Sequence, residues 1–522
     1  MHERAGDVAR EYHMYEAAAQ HYQDALQVPS ANESAWMRLS GKLAEALWLG
    51  NEPGSANAIN DRLLTVHRSH PERSADYVKT LSRVARQLWL DSRTKDEVPV
   101  LRKAIHIAEL SKDPGLLQYA NARMANVLVR LTRFQEANRY LRVVEQLHEI
   151  HNIGLPSMYY TQKGWVAVGF GQEKEAFAYF NRAIELLKND ADSYRSVIIL
   201  SDYGIVALMF GKTGLAKEYL EHALLAARRN NIAWLIPQCC LAYADFLMRV
   251  GEYASARDYL LEALSSNART HILDENIAFV GIPLALYMKD EATLAKCMSP
   301  HIVQRAFSSG EPGPIGGVAA SLARVYVERG ETKRAHALLH RAIYTVRDVM
   351  HAWELPLEIA RSGAPADFPQ ARKLLKARAA LPSVYVAEAH LQLFEAFVAR
   401  REGRESDARE HARAAVTRFD RLQWSMYTEL ARSLLPVAEQ HPSTSKPYAT
   451  PFSDTRAKIT EREREVAAFI LKGMTNRAIA DALSITENTI EKHVASVMNK
   501  LGIRSRHQLA DAIYPSLVLR IP

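Results

Sequence analysis

A pattern of small and bulky residues recurs along the first four-fifths of the chain, with a period of about 40 residues. In its clearest copy a glycine is followed by an alanine, a bulky residue and a second alanine, namely Gly171, Ala176, Phe180 and Ala183. Residues at i, i+4 and i+7 lie on one face of a helix, and glycine favours the tight turn between two helices. Each unit is therefore predicted to be a helical hairpin that cannot bury its own apolar face, so that successive units stack into an α-solenoid.

The period stays constant over most of this region. The last small or apolar position of successive copies falls at Val144, Ala183, Ala223, Ala263 and, two periods later, Ala342. One copy is missing, and it is expected within Lys289–Val303. A phase that persists in this way predicts one array of about eleven units rather than several globular domains.

The repeat positions are similar to those of a known family. The tetratricopeptide repeat places small and bulky residues as this chain does at Gly164, Ala167, Gly171, Ala176, Phe180 and Ala183. The usual repeat of that family, about 34 residues, is shorter, and the longer period resembles the enlarged repeats of MalT-like regulators. The resemblance covers residues 1–438. It implies a concave surface for an effector, either a partner protein or a small molecule.

Three tryptophans of the array, Trp165, Trp234 and Trp353, have two interpretations. They line the concave surface, or they fill the space between packed helices. The sequence leaves both interpretations open.

Nothing in the sequence predicts an enzyme. Gly211-Lys212-Thr213 resembles the end of a Walker A phosphate loop, but Val206 stands where the motif needs its first glycine, and the segment has helical periodicity. MalT-like regulators usually carry an N-terminal NTPase module, whereas this chain begins directly in the repeats, so ATP dependence is not expected. Metalloprotease, serine-hydrolase and paired-cysteine motifs are also missing from the sequence. We therefore predict no catalytic residue, no cofactor and no metal site.

The charge of the chain is mildly basic. Lys and Arg outnumber Asp and Glu by 66 to 59, which permits a nucleic-acid partner without requiring one. The N-terminus has no apolar region typical of a secretory signal, and no apolar run reaches the length of about 18 residues that suggests a membrane-spanning helix. The protein is thus expected to be cytoplasmic and to have no membrane partner.

The composition changes after the array. A helix is predicted over Arg418–Gln440, and residues 439–454 are rich in Pro, Ser and Thr. Proline removes a backbone donor and interrupts helices, so this segment is predicted to be a linker between the array, residues 1–438, and a C-terminal domain, residues 455–522.

The C-terminal domain has the pattern of four short helices. Thr460 and Glu463 form a capping box at the start of the first. The second is Asn476–Leu483, the third is Glu487–Leu501 with Thr486 as its N-cap, and the fourth is Arg506–Ile513. The second and third helices are joined by a tight turn, which is typical of a helix-turn-helix.

Such a motif places its second helix, here Glu487–Leu501, in the major groove of DNA. The face opposite the apolar stripe presents five side chains to the bases, namely those of Asn488, Glu491, Lys492, Ala495 and Asn499. Lysine can donate to guanine, asparagine can pair with adenine, and glutamate can accept from cytosine. Cations flanking this face are predicted to contact phosphates and so position the domain, and they are Arg477, Lys500, Arg504 and Arg506.

Four segments of this domain are similar to the LuxR-type DNA-binding domain, and they are Ile459–Val466, Gly473–Ala480, Ile485–Val494 and Lys500–Arg506. The resemblance implies contacts to the DNA backbone, or packing beside it, for Thr475, Asn476, Arg477, Thr489 and His493. The chain departs from the family at Glu491, where a lysine that touches DNA is common, and Lys492 is expected to take over part of that cationic role. Such domains commonly pair through their last helix, which implies a homodimer on double-stranded DNA.

These observations together predict a transcriptional regulator. The repeat array would sense a partner protein or a small molecule, and the C-terminal domain would read DNA. The alternative is a scaffold protein that mainly binds other proteins through its repeats and carries an auxiliary DNA-binding domain.

Overall fold

The protein is described here by a computed structural model, which covers residues 1–12, 14–28, 32–50, 52–69, 74–187, 194–230, 232–267, 270–350, 352–437, 460–471, 476–483 and 485–501. Two compact units make up the chain, Met1–Pro436 and Val437–Pro522. Every regular element in the described residues is a helix, which confirms the all-α prediction.

The first unit contains 24 α-helices among its described residues and one 3₁₀ turn at Pro365–Asp367. Their bounds are α1 His2–Glu11, α2 Tyr15–Leu26, α3 Glu33–Leu49, α4 Pro53–Ser69, α5 Ser74–Leu90, α6 Thr94–Ser111, α7 Pro114–Arg130, α8 Phe134–His151, α9 Ser157–Gly169, α10 Glu173–Glu185, α11 Tyr194–Met209, α12 Thr213–Arg229, α13 Ile236–Val250, α14 Tyr253–Leu264, α15 His271–Met288, α16 Glu291–Cys297, α17 Pro300–Ser308, α18 Pro312–Glu328, α19 Thr332–Thr345, α20 Glu354–Ser362, α21 Phe368–Ala379, α22 Tyr385–Arg401, α23 Glu405–Leu422 and α24 Ser425–Arg432. The second unit contributes α25 Glu461–Leu471, α26 Asn476–Leu483 and α27 Glu487–Leu501.

The repeat positions predicted from the sequence form the contacts between helices. Phe180 of α10 is fully buried, and a Cβ atom added to Gly164 of α9 would lie 2.7 Å from its ring. A small residue is thus required at that position for the two helices to approach. The corresponding residues of the other copies are buried in the same way, as at Ala216, Leu220, Ala223, Ala256, Leu260, Ala263, Ala335, Leu339 and Ala342.

The turns between the two helices of a hairpin keep the same period. The glycines of these turns, Gly171, Gly211, Gly251 and Gly330, all have positive φ, a conformation that glycine adopts readily. The left-handed conformation also occurs at the same position of the period in three residues that are not glycine, Ser92, Thr132 and Lys289. An L-residue in this region costs about 1–2 kcal/mol, so the stacked helices must hold these turns in place.

Lys289 marks the copy that the sequence pattern did not resolve. Here α15 is followed by two short helices, α16 and α17, in place of one second helix. Within α16 the buried residues are Thr293, Leu294 and Cys297, whereas Ala295 is exposed. The repeat therefore continues through this segment with its second helix interrupted, which explains why the alanine pattern is lost.

The array closes on itself, because residues 209 to 217 positions apart in sequence are hydrogen-bonded. The hydroxyl of Thr213 donates to the carbonyl of Leu422 at 2.5 Å. The hydroxyl of Thr94 donates to Glu311 at 2.6 Å. One superhelical turn thus spans about five repeats.

This closure leaves a cavity of about 630 Å³ inside the first unit. Most of the helices that line it are the first members of their hairpins, among them α5, α7, α9, α11, α13 and α15. Trp165, Trp234 and Trp353 are 8%, 3% and 3% exposed, and all three line the cavity. The two interpretations of these tryptophans therefore both apply, because they pack between helices and face a concave surface.

The end of the array differs from the sequence prediction. The continuous helix expected over Arg418–Gln440 is wrong, because α23 ends at Leu422 and Gln423 adopts φ 59°. The chain turns there so that Trp424 becomes buried, at 1% exposure, and α24 follows. Residues 439–454, predicted to be a linker, lie outside the described residues.

The helices that the structure describes include none with the length and apolar character needed to span a membrane.

Candidate nucleic-acid interface

The C-terminal unit has its own apolar core. Its buried members come from all three described helices, and they are Val466, Ala467, Ile470, Ile479, Ala480, Ile490, Val494 and Val497. The last three, Ile490, Val494 and Val497, form the apolar stripe of α27. The predicted fourth helix, Arg506–Ile513, lies outside the described residues.

The first of these helices, α25, begins with the predicted capping box. The backbone N–H of Thr460 donates to the carboxylate of Glu463 at 2.7 Å, and the N–H of Glu463 donates to the Thr460 hydroxyl at 3.3 Å. Two backbone donors that have no partner within the helix are thus satisfied reciprocally.

The same carboxylate binds the far end of α27. Lys500 donates to its two oxygens at 2.6 and 2.7 Å, and the Ser496 hydroxyl donates at 2.6 Å. Burial would raise the pKa of Glu463, but the hydrogen bonds from Lys500, Ser496 and Thr460 lower it to about 2. Sequence reasoning missed this cluster, because it read Glu463 only as a cap and Lys500 only as a cation for phosphate.

Thr486 caps the N-terminus of α27, as predicted. Its hydroxyl accepts from the N–H of Thr489 at 3.3 Å and lies 2.8 Å from the Thr489 hydroxyl. The turn before it is closed by the N–H of Ile485, which donates to the carbonyl of Ala480 at 3.0 Å. These contacts fix the direction in which α27 leaves the turn.

The face of α27 opposite the core is open. Its exposed residues are Asn488, Glu491, Lys492, Ala495 and Asn499, the five that the sequence assigned to base contacts. In the described part of the chain, the side chains of Asn488, Lys492 and Asn499 have no hydrogen-bond or ion-pair partner. They are free to bind another molecule.

The other residues predicted to contact DNA are either half-buried or outside the described residues. Thr489 and His493 are half-buried on the flank of α27, and Asn476 is half-buried at the start of α26. Arg477 lies in α26, but its side chain is outside the described residues, as are Thr475, Arg504 and Arg506. Lys500 faces Glu463, so within described α27 the cation of the open face is Lys492.

The comparison with protein families agrees with this geometry. The family model for bacterial regulatory proteins of the luxR family matches residues 457–513. The spore germination protein GerE of Bacillus subtilis is 40% identical over 50 residues, which are 10% of this chain and 68% of GerE. The chain belongs to the LuxR family of bacterial regulatory proteins. Its C-terminal unit carries a LuxR-type helix-turn-helix, a DNA-binding domain.

A second LuxR-type relative, the two-component response regulator PprB of Pseudomonas aeruginosa, is 38% identical over 81 residues, or 16% of this chain. The chain thus spans about a quarter of the length of this relative, 27%.

The repeat region has separate matches. The tetratricopeptide model matches residues 159–190, which include the hairpin of α9 and α10. A solved structure of a Rap protein in complex with Competence and Sporulation Factor aligns with 66% of this chain and 98% of its own, at 15% identity and a TM-score of 0.45. LuxR-type regulators and tetratricopeptide repeats are typically non-enzymatic.

No metal site was predicted from the sequence. The structure brings ligand atoms of His2, His21 and Asp24 within 4.8 Å of one another at the surface. The imidazole of His2 also lies 3.8 Å from the carboxylate of Asp24. Of these three residues only His2 is exposed, and we assign no metal to the cluster.

Proposed function

We propose that this LuxR-family protein is a transcriptional regulator that reads double-stranded DNA with α27 and senses an effector with its repeat array. The open face of α27 carries the first part of the proposal. Lys492 and Asn488 lie there with no competing partner in the described chain, on a helix fixed by a cap at one end and an ion pair at the other. Such preorganised side chains suit the edges of guanine and adenine.

The cations of the domain are proposed to bind different parts of DNA, according to their positions. Lys492 is proposed to donate to a base, whereas Arg477, Arg504 and Arg506 are proposed to bind phosphates. Thr475, Asn476, Thr489 and His493 are proposed to contact or support the DNA backbone. Lys500 is proposed to act at the edge of the interface while it holds Glu463, and a homodimer through the last helix would read two half-sites.

DNA reading is tested by selection from a pool of random duplexes with the full chain. We expect enriched duplexes to share one short motif, and the Lys492→Ala variant to relax one position of it. Lys333→Ala, which removes an exposed cation of the repeat array, is the matched control and should select the same motif as the natural chain. A pool that stays random after selection would favour the alternative, a scaffold protein whose terminal domain is auxiliary.

The second part of the proposal is that occupancy of the array alters the placement or pairing of the DNA-binding domain. The cavity supports it, because a ligand bound between α5, α7, α11 and α13 would contact helices of several repeats at once. Ala242 lines this cavity, so Ala242→Phe should mimic occupancy and change the DNA affinity or stoichiometry of the full chain. Ala254→Phe, at an exposed position, is the control. Equal DNA binding by both variants and the natural chain would contradict the sensing step.

We further propose that the protein acts in the cytoplasm, where a bacterial regulator meets chromosomal DNA, and that it has no enzymatic activity, as is typical of the two matched families.

A further inference from the structure

The cavity of the first unit is unusually rich in tryptophan. The chain has seven tryptophans, and six of them line this one space, namely Trp48, Trp89, Trp165, Trp234, Trp353 and Trp424. Its volume of about 630 Å³ is within the range of about 300–1,000 Å³ typical of small-molecule sites. The walls are therefore suited to a ligand with a flat apolar body.

One wall carries arginines without carboxylate partners. Arg86 and Arg123 both line the cavity, and in the described part of the chain neither has a carboxylate within ion-pair distance. The guanidinium of Arg86 lies 4.7 Å from the ring centre of Trp48. The Nε atom of Arg123 is buried and has no hydrogen-bond partner among the described residues. Arg86 and Arg123 are half-buried, and a cation removed from water is normally paired, so a bound anion would supply the partner that the chain does not place within ion-pair distance.

Two other arginines that line the cavity, Arg130 and Arg249, are paired with carboxylates. Arg130 donates to Glu97 at 2.5 Å, and Arg249 donates to Asp245 at 3.0 Å. Both carboxylates also line the cavity. The unpaired state of Arg86 and Arg123 is therefore a property of their own wall rather than of the whole cavity.

Burial weakens the acidity of three further carboxyl groups that line the cavity, those of Asp202, Glu275 and Glu311. It raises the pKa of Asp202 to about 7, raises the pKa of Glu275 well above its usual value, and also raises the pKa of Glu311. A carboxyl group with a raised pKa carries less negative charge near neutral pH, so these acids compete less strongly with an anion for the arginines.

Aromatic rings surround the unpaired arginines. The ring centres of Trp48 and Trp234 are 5.0 Å apart, and Tyr194 lies 6.2 Å from the first and 6.4 Å from the second. Buried polar atoms without partners among the described residues also border the cavity, the Nε1 of Trp234 and the Oε1 of Gln162. Both side chains are 3% exposed, so an occupant with polar groups would satisfy atoms that the chain itself leaves unpaired.

We propose that this cavity binds a small aromatic anion, with its carboxylate or phosphate group at Arg86 and Arg123 and its ring packed against the cavity face of Trp48, Tyr194 and Trp234. The proposal rests on the sensing function proposed for the repeat array and names the chemical class of its effector.

The test is a titration of the full chain with 8-anilinonaphthalene-1-sulfonate, an aromatic anion, followed by the quenching of tryptophan emission. Phenylacetate, phenyl phosphate and benzyl alcohol then compete. We expect saturable binding, with displacement by the carboxylate or the phosphate at concentrations at least about tenfold lower than by the neutral alcohol. Which of the two anions displaces better identifies the head group. No saturable binding, or equal displacement by benzyl alcohol, would overturn the proposal.

Variants locate the site. Arg123→Gln and Arg86→Gln should each weaken binding of the sulfonate about tenfold or more, while Arg123→Lys, which keeps the charge, should lose less. Arg334→Gln, which removes an arginine paired with Glu331 outside the cavity, is the matched control and should bind as the natural chain does. Unfolding temperatures identify a variant that fails to fold. In that case the binding of the sulfonate by Arg123→Lys and Trp234→Phe tests the site. Unchanged binding by folded cavity variants would overturn the proposal.

Failure of this proposal can be told from failure of the proposed function. If the anions bind at the arginines but leave DNA affinity unchanged, the site stands and the sensing step falls. If they do not bind, the site falls, while DNA selection by the full chain still tests the reading of DNA.

Discussion

The ammonium of Lys500 lies 2.6 Å from the carboxylate of Glu463, and this ion pair joins the last turn of α27 to the first turn of α25. The carboxylate is 5% exposed and accepts four hydrogen bonds, from Lys500 twice, from Ser496 and from the N–H of Thr460. A cap and a helix-to-helix contact thus depend on one side chain.

Glu463→Gln should make the stability of the C-terminal unit less dependent on pH. The pKa of Glu463 is lowered to about 2 in the folded chain, so its contribution is present above the unfolded value near 4.5 and is lost as pH falls toward 2. We expect the variant to lose roughly 1–3 kcal/mol at pH 7 and much less at about pH 3. Pulsed hydrogen exchange of α25 and α27 peptides, after equilibration in urea at each pH, measures this. Glu491→Gln, at an exposed position of α27, is the control, and an equal loss at both pH values for Glu463→Gln would contradict the assignment.

Thr486→Ala should destabilise the start of α27 by about 1 kcal/mol, because it removes the side-chain acceptor that caps the Thr489 N–H. Thr486→Ser keeps the acceptor and should behave almost as the natural chain does. The same exchange measurement, read from the first turn of α27, separates the two variants. Identical protection in all three chains would mean that the cap contributes nothing.

Gly211→Ala and Gly330→Ala should lower the free energy of unfolding by different amounts. Gly211 lies at a turn where the array closes, whereas Gly330 lies at a turn that makes no such contact. Both glycines have positive φ, of 71° and 78°. A Cβ atom at Gly211 would overlap the side chain of Leu422 from the end of the array, whereas one at Gly330 meets nothing within 4 Å. We expect Gly330→Ala to cost about 1 kcal/mol, and Gly211→Ala to cost at least about 1–3 kcal/mol more through the clash. Urea unfolding followed by helical circular dichroism gives both values, and equal losses would contradict the closure.

Asp202→Asn should stabilise the array at high pH. Burial raises the pKa of Asp202 from 3.8 to about 7, so the natural side chain favours folding below pH 4, and this advantage is lost as pH rises toward 7. The amide is never charged. We therefore expect a gain of roughly 1–2 kcal/mol at pH 8 and little change at pH 4, since water in the cavity reduces the full effect. Thermal unfolding at the two pH values checks this, with Asp258→Asn on α14 as the control, and a gain of equal size at pH 4 would contradict the assigned cause.

The sequence predicted the local parts of this fold well. The spacing of Ala176, Phe180 and Ala183 indicates that they share one helix face, and the glycines indicate where the turns fall. Both features depend only on neighbours within a single hairpin. The capping box of α25, the N-cap of α27 and the core side of α27 were predictable for the same reason.

The closure and the cavity were not predictable. The contact of Thr213 with Leu422 depends on a small rotation between repeats, added over about five units, which leaves no trace in the spacing of residues. The same accumulated rotation brings six tryptophans from different repeats together around one cavity. Gln423 escaped prediction because nothing in the pattern around it signals a left-handed residue where glycine is absent.

Lys492→Ala and Arg477→Ala should affect DNA binding in different ways. A base contact contributes to selectivity, whereas a phosphate contact contributes equally on every sequence. We expect Lys492→Ala to reduce the difference in binding free energy between a selected and a scrambled duplex by about 1–3 kcal/mol. Arg477→Ala should weaken the affinity for both duplexes by the same factor. Fluorescence anisotropy with the two duplexes measures the ratio, and equal loss on both duplexes for Lys492→Ala would contradict the recognition assignment.

The most direct test of the regulator assignment is the affinity of the full chain for a selected duplex and for its scrambled counterpart, measured over a range of salt concentrations. We predict that the selected duplex binds more tightly by a factor of at least about 10³, and that the logarithm of each affinity falls linearly and steeply with the logarithm of salt concentration. Equal affinity for the two duplexes at every salt concentration would show that the chain does not read sequence, and would contradict its assignment as a transcriptional regulator.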